Sequence, residues 1–167
     1  AVGTMTKALK ANPKSVMLMV NQGGIFHALG MTQKALGAYV RAIDIAPDDP
    51  AAYRALGFMA AEVESLTVAR GAWEKARTLA PKDLEVRDAL SQLYLALRDP
   101  EAAVTEMKAL LDIAPNASRI RLRLAEVYAQ TGNLPSAKAD LMTCISRSAN
   151  WLPPYKRLAL IYMSQDM

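Results

Sequence analysis

Residues 47–81 read PDDPAAYRALGFMAAEVESLTVARGAWEKARTLAP, and two amphipathic segments lie between the bounding prolines. In the first, Tyr53, Leu56, Gly57 and Ala60 share one face by the i, i+3, i+4, i+7 rule, which predicts a helix over 51–60. In the second, Ala69, Ala72, Trp73, Ala76 and Leu79 form one stripe, which predicts a helix from Val68 to Leu79. Asp49 before Pro50 supplies an N-cap acceptor and then a proline at the first helical position, where its missing N–H costs nothing; Asp99 and Pro100 repeat the device. Pro81 stops the second helix.

The same unit recurs along the chain. Pro13, Pro47, Pro81 and Pro115 stand 34 residues apart, as do Ala35, Ala69, Ala103 and Ala137. Gly23, Gly57, Ser91, Ala125 and Ala159 form a third series with the same step. Small residues at two fixed places per period mean that two backbones approach closely there, and 34 residues is the length of two short helices with tight turns. Gly30 and Gly132 fall between first and second helices, where a left-handed residue is commonly needed.

With these residues the chain resembles the tetratricopeptide repeats, whose unit has an aromatic, Leu, Gly and Tyr in helix A, then Ala, an aromatic and Pro around helix B. The second period matches best, through Tyr53, Leu56, Gly57, Ala69, Trp73, Ala76 and Pro81. The first has Gly23, Phe26, Ala35, Tyr39, Ala42 and Pro47, with Met19 and Gln22 in place of the usual aromatic and leucine. The third has Leu90, Ser91, Tyr94, Ala103, Met107 and Pro115; the fourth has Leu124, Ala125, Tyr128, Ala137, Leu141 and Cys144, with Ala149 at the proline position. The resemblance implies an all-α fold, a right-handed superhelical α-solenoid of antiparallel helix hairpins. Its expected divisions are the end of a helix B over 1–13, repeats over 14–47, 48–81, 82–115 and 116–149, and a further helix A over 150–167. A single repeat domain cut from a longer chain is the expectation, because end repeats normally carry a polar cap.

Composition sets the outer bounds. Half the residues are apolar and glycine is scarce, as expected of a packed chain, and no apolar run approaches the roughly 20 residues of a spanning helix. Cys144 and His27 are the only residues of their kinds, so neither an internal disulfide nor a Cys/His metal cluster can form. Cys144 shares the small-residue slot of Ala42 and Ala76 and reads as a buried structural thiol. No Gly-rich phosphate loop, metal-ligand spacing or nucleophile elbow is present, so no enzyme, cofactor or small-molecule substrate is expected. The compartment is left open, with cytoplasm and periplasm both compatible.

A concave groove lined by the A helices is what the resemblance implies for function, holding an extended peptide or a partner helix. Carried over slot by slot, it points Arg54, Phe58, Glu85, Asp88, Gln92, Arg119, Arg123, Glu126, Lys156 and Arg157 inward, with Met17, His27, Glu62, Leu160 and Met163 beside them. Residues 82–115 carry net charge −3 and residues 116–149 carry +3, so a protein partner with an acidic segment would match the later repeats. The alanine-rich, short-looped style resembles bacterial repeat proteins of envelope assembly and secretion, in pilus or polysaccharide export. A co-chaperone-like module for an acidic C-terminal tail is the alternative: Arg54, Arg119 and Arg123 occupy the cationic clamp slots, but Phe58 and Ala89 replace the asparagines. A nucleic-acid-associated helical repeat is a third reading, which the net charge of +4 does little to support.

Overall fold

The structure, a computed structural model, describes residues 2–165. Among these residues the chain forms ten helices and no strand: α1 (Val2–Ala11), α2 (Val16–Ala28), α3 (Thr32–Ile45), α4 (Pro50–Glu62), α5 (Leu66–Leu79), α6 (Leu84–Ala96), α7 (Pro100–Ile113), α8 (Ser118–Gln130), α9 (Leu134–Arg147) and α10 (Leu152–Gln165). From α2 to α9, A helices of 13 residues alternate with B helices of 14. The connections between them fill the rest of the 34-residue period. The helix expected over 51–60 extends to both sides, and α5 begins at Leu66, two residues before the expected Val68.

The helices group into two compact units, one ending at Val86 and the other starting at Arg87, within α6. In the first, α2 packs on α3 and α4 on α5, while α2 also meets α1 and α4 meets α3. In the second, α8 packs between α7 and α9, and α10 lies against α9.

Close helix approach fixes each hairpin. Ala35, Ala69, Ala103 and Ala137 are fully buried at the same place in four successive B helices. In the A helices, a Cβ on Gly23 would strike the Tyr39 ring and one on Gly57 the Trp73 indole, so glycine is required where the B helix carries an aromatic. Where the B helix carries Met107 or Leu141 instead, the A-helix position is filled by Ser91 or Ala125, all four buried. Trp73 also meets Phe58 edge-on, with ring centroids 5.1 Å apart. Its indole N–H is buried without an acceptor, so the ring serves packing and not hydrogen bonding.

Turn chemistry repeats with the same step. The N–H groups of Met31, Ser65, Asp99 and Asn133 donate to the carbonyls of Phe26, Ala60, Tyr94 and Tyr128, each at 2.8 Å. This is the six-to-one bond of a Schellman ending, and it needs a left-handed residue one position earlier. Gly30 and Gly132 fill that position with φ of 71° and 81°, but Glu64 and Arg98 fill it with 57° and 59°. Asp49 and Asp99 cap as the sequence predicts, accepting from Ala51 N–H at 2.9 Å and from Ala102 N–H at 3.0 Å.

Two measurements test these constraints. Gly57→Ala should cost about 1–3 kcal/mol in denaturant unfolding, because the added methyl overpacks a closed contact. Trp73→Leu in the same chain should recover part of that loss, and strict additivity of the two changes would remove the ring as the cause. Glu64→Gly and Arg98→Gly should each raise stability by about 0.5–1 kcal/mol, the left-handed strain relieved less the entropy glycine adds to the unfolded chain. A fall in stability for both would show that the two side chains make contacts outweighing the strain.

Candidate functional site

On the A helices the side chains singled out from the sequence make contact chiefly with one another. In the first unit, Glu62 on α4 receives His27 Nε2 of α2 at 2.9 Å. Arg54 on α4 reaches forward to Glu85 at 3.2 Å and Asp83 at 3.6 Å. In the second unit, Arg123 on α8 donates to Asp88 on α6 at 2.6 Å, and Gln92 donates to the other Asp88 oxygen at 3.0 Å. Arg157 on α10 donates to Glu126 on α8 at 2.6 Å.

These contacts form rungs between successive A helices. Between A helices the partners lie either 31 or 35 residues apart, one repeat less three or one repeat plus one, which are neighbouring places on the same helical face; Asp83, 29 residues on from Arg54, stands just before α6. The rungs differ in strength. Arg54 and Glu85 are exposed, and a pair in that setting contributes about 0–1 kcal/mol. Arg123 and Asp88 are about two-thirds covered, and Gln92 holds the carboxylate from its free side, so this rung is the better organised.

Arg119 and Lys156 are different. Both are exposed, and among the described residues neither has a carboxylate partner. Exposed apolar side chains accompany them on the A helices, with Leu160 and Met163 on α10 in the second unit and Met17 on α2 in the first. Phe58 is part-exposed and leans on Trp73.

A second set of ion pairs links A to B helices and was not foreseen in the sequence. Arg87 on α6 meets Glu106 on α7 at 2.6 Å, and Arg121 on α8 meets Asp140 on α9 at 2.9 Å, all four side chains largely buried. The signal that would reveal them is an opposite charge 19 residues on, where repeats one and two carry Met19 with Ala38 and Tyr53 with Ala72. Asp83 is likewise absent from the sequence expectation; it accepts from Val86 N–H at 3.1 Å while contacting Arg54.

The two groups with displaced protonation equilibria sit off this face. Burial pushes the Cys144 thiol up, with Asp140 adding to the shift while Arg121 and Arg147 oppose it. The thiol donates toward Ser118 O at 3.7 Å, so it is a packed group with little thiolate. Burial, and then the charge of Glu62, raises the Tyr39 phenol. Among the described residues no group of three or more His, Cys, Asp or Glu could hold a metal ion, and no helix is long and apolar enough to cross a membrane.

Comparison with known proteins gives both a family and a fold. The model of the CABIN1 N-terminal domain matches residues 12–131, and that of the tetratricopeptide repeat matches residues 118–150. No curated protein matches the sequence significantly. Among solved structures, the chain is similar to YrrB, a tetratricopeptide-repeat protein with an unusual peptide-binding site, at 17% identity and TM-score 0.85, covering 99% of this chain and 86% of that one. A tetratricopeptide repeat protein from Parabacteroides merdae ATCC 43184 aligns at 21% identity and TM-score 0.76, over 99% of this chain and 66% of that one. A structure of Naa15/Naa10 bound to HypK-THB aligns at 25% identity and TM-score 0.71, over 83% of this chain and 21% of that one.

The best-organised rung is open to measurement. A double-mutant cycle on Asp88→Ala and Arg123→Ala should return a coupling of about 1 kcal/mol that shrinks by half or more in 1 M salt. Coupling within error of zero at low salt would reduce this rung to an incidental contact.

Proposed function

We propose, for a chain that belongs to the CABIN1 N-terminal domain family and is a tetratricopeptide-repeat protein, that it is a non-catalytic scaffold holding a segment of another protein against its A helices. The observation that carries this reading is the contrast on that face. Arg54, Glu85, Asp88, Arg123, Glu126 and Arg157 satisfy one another, whereas Arg119 and Lys156 stand exposed without a carboxylate. Paired charges spend their interaction inside the protein, so the unpaired cations, Lys156 among them on one face of α10 with exposed Leu160 and Met163, are the groups with something left to offer a partner. An acidic segment with apolar anchors fits them. Gln92, in the same unit and bonded to Asp88, would supply further contact.

Several lines support a protein partner. YrrB has a peptide-binding site and Naa15/Naa10 is seen bound to HypK-THB, which favours a peptide or protein as the ligand. The co-chaperone reading is weakened because Arg54 and Arg123, two of its three clamp cations, already face carboxylates. The same neutralisation weakens the case for nucleic acid. For the setting, assembly or secretion in a bacterial envelope, the support is the alanine-rich, short-looped style of the repeats.

Affinity capture from a lysate of the organism that encodes the chain, run in parallel with Arg119→Glu/Lys156→Glu, tests this assignment. Bound proteins should fall several-fold with the charge-reversed variant while its helical content by circular dichroism is unchanged. Equal capture by both would move recognition off the A helices.

A further inference from the structure

The first unit contains a cleft of about 1080 Å³ on the opposite, B-helix side, between α1 and α3 with α2 as its floor. Four features set it apart. Its floor holds Met19, Phe26 and Gln22, and Val40 stands exposed on its wall. Gln22 is only 8% exposed, yet its side chain has no hydrogen-bond partner among the described residues. Every other repeat has leucine at that place, as Leu56, Leu90, Leu124 and Leu158. The Gln22 amide therefore faces the cleft with no partner among the described residues, leaving donors and an acceptor for a group that enters there.

The second feature is Gly37, in the interior of α3, where glycine weakens a helix relative to alanine. Beyond its chain neighbours and the local backbone of α3, no atom lies within 4 Å of where its Cβ would be, so internal packing does not require the glycine; Gly71 is its counterpart in α5. At Gly37 the missing side chain leaves the cleft wall open. Third, the rim carries Lys10, Lys34 and Arg41 against Asp44 alone. None of the three cations forms an ion pair among the described residues, and Lys34 Nζ hangs 5.8 Å from the Phe26 ring centroid. Fourth, the second unit has a smaller cleft at the corresponding place, three repeats on, and there Arg121 and Asp140 bridge it. Met19 and Ala38 stand in their positions in the first unit, so its cleft is left unbridged.

We propose that this cleft is a second binding site, which takes an acidic polypeptide segment bearing at least one large apolar side chain. The apolar group lies over Met19, Phe26 and Val40, a backbone amide of the segment hydrogen-bonds Gln22, and carboxylates meet Lys10, Lys34 and Arg41. Length favours a chain segment over a compact small molecule: from Lys34 to Ile45 the α3 wall runs about 16 Å at 1.5 Å per residue, room for roughly five extended residues.

Phage-displayed random twelve-residue peptides, depleted on Gly37→Leu and then selected on the unaltered chain, test the assignment. The selected consensus should combine Asp or Glu with a large apolar residue. As a fluorescein-labelled synthetic peptide it should bind Gly37→Leu and Gln22→Leu at least tenfold more weakly, and Lys34→Glu/Arg41→Glu likewise. Both leucine substitutions suit their helices, so thermal unfolding midpoints at or above that of the unaltered chain would show that the loss is not unfolding. If Gly37→Leu does not fold, Gln22→Leu serves for depletion. Arg119→Glu/Lys156→Glu should bind the peptide normally, which separates this site from the A-helix face. No enrichment after depletion, a consensus without acidic residues, or equal binding to both leucine variants would overturn the proposal.

Discussion

Every hairpin depends on how closely an A helix can approach its B helix. At that contact the chain trades volume across the interface: Gly23 against Tyr39, Gly57 against Trp73, and larger Ser91 and Ala125 where Met107 and Leu141 stand in the B helix. The interior is packed too tightly to tolerate the wrong combination. The spacing of the helices, and through it the positions of the charged side chains they carry, follows from a few atoms of side-chain volume per repeat.

Much of this is legible in the sequence, because small residues, prolines and capping aspartates are punctuation whose meaning is local. The step of 34 in Pro13, Pro47, Pro81 and Pro115 suffices to count the hairpins. The left-handed endings are only half visible. Gly30 and Gly132 announce them, while Glu64 and Arg98 adopt the same backbone without the residue type that signals it. There the repeat imposes the turn against local preference, which a single-residue reading cannot detect.

The candidate sites are less legible, since they depend on which side chains find each other. Arg54, Asp88, Arg123 and Glu126 read from the sequence as surfaces waiting for a ligand, yet in the structure they are rungs. Offsets of 31 and 35 become meaningful only once adjacent A helices are known to lie side by side. The α1–α3 cleft is harder still. Met19 and Gln22 stand out as departures from the repeat, but the space above Gly37 is an absence of atoms, which no motif encodes.

The buried pairs Arg87–Glu106 and Arg121–Asp140 bear on a hazard particular to repeated chains. Hairpins of one shape and length invite a helix to dock on the wrong copy of its partner as the chain collapses. An α6 helix seated on α5 in place of α7 would set the Arg87 guanidinium against Ala72, where no carboxylate waits, at a cost of several kcal/mol for the stranded charge. Hairpins three and four thus carry a charge-coded identity in addition to the volume match at each apolar contact.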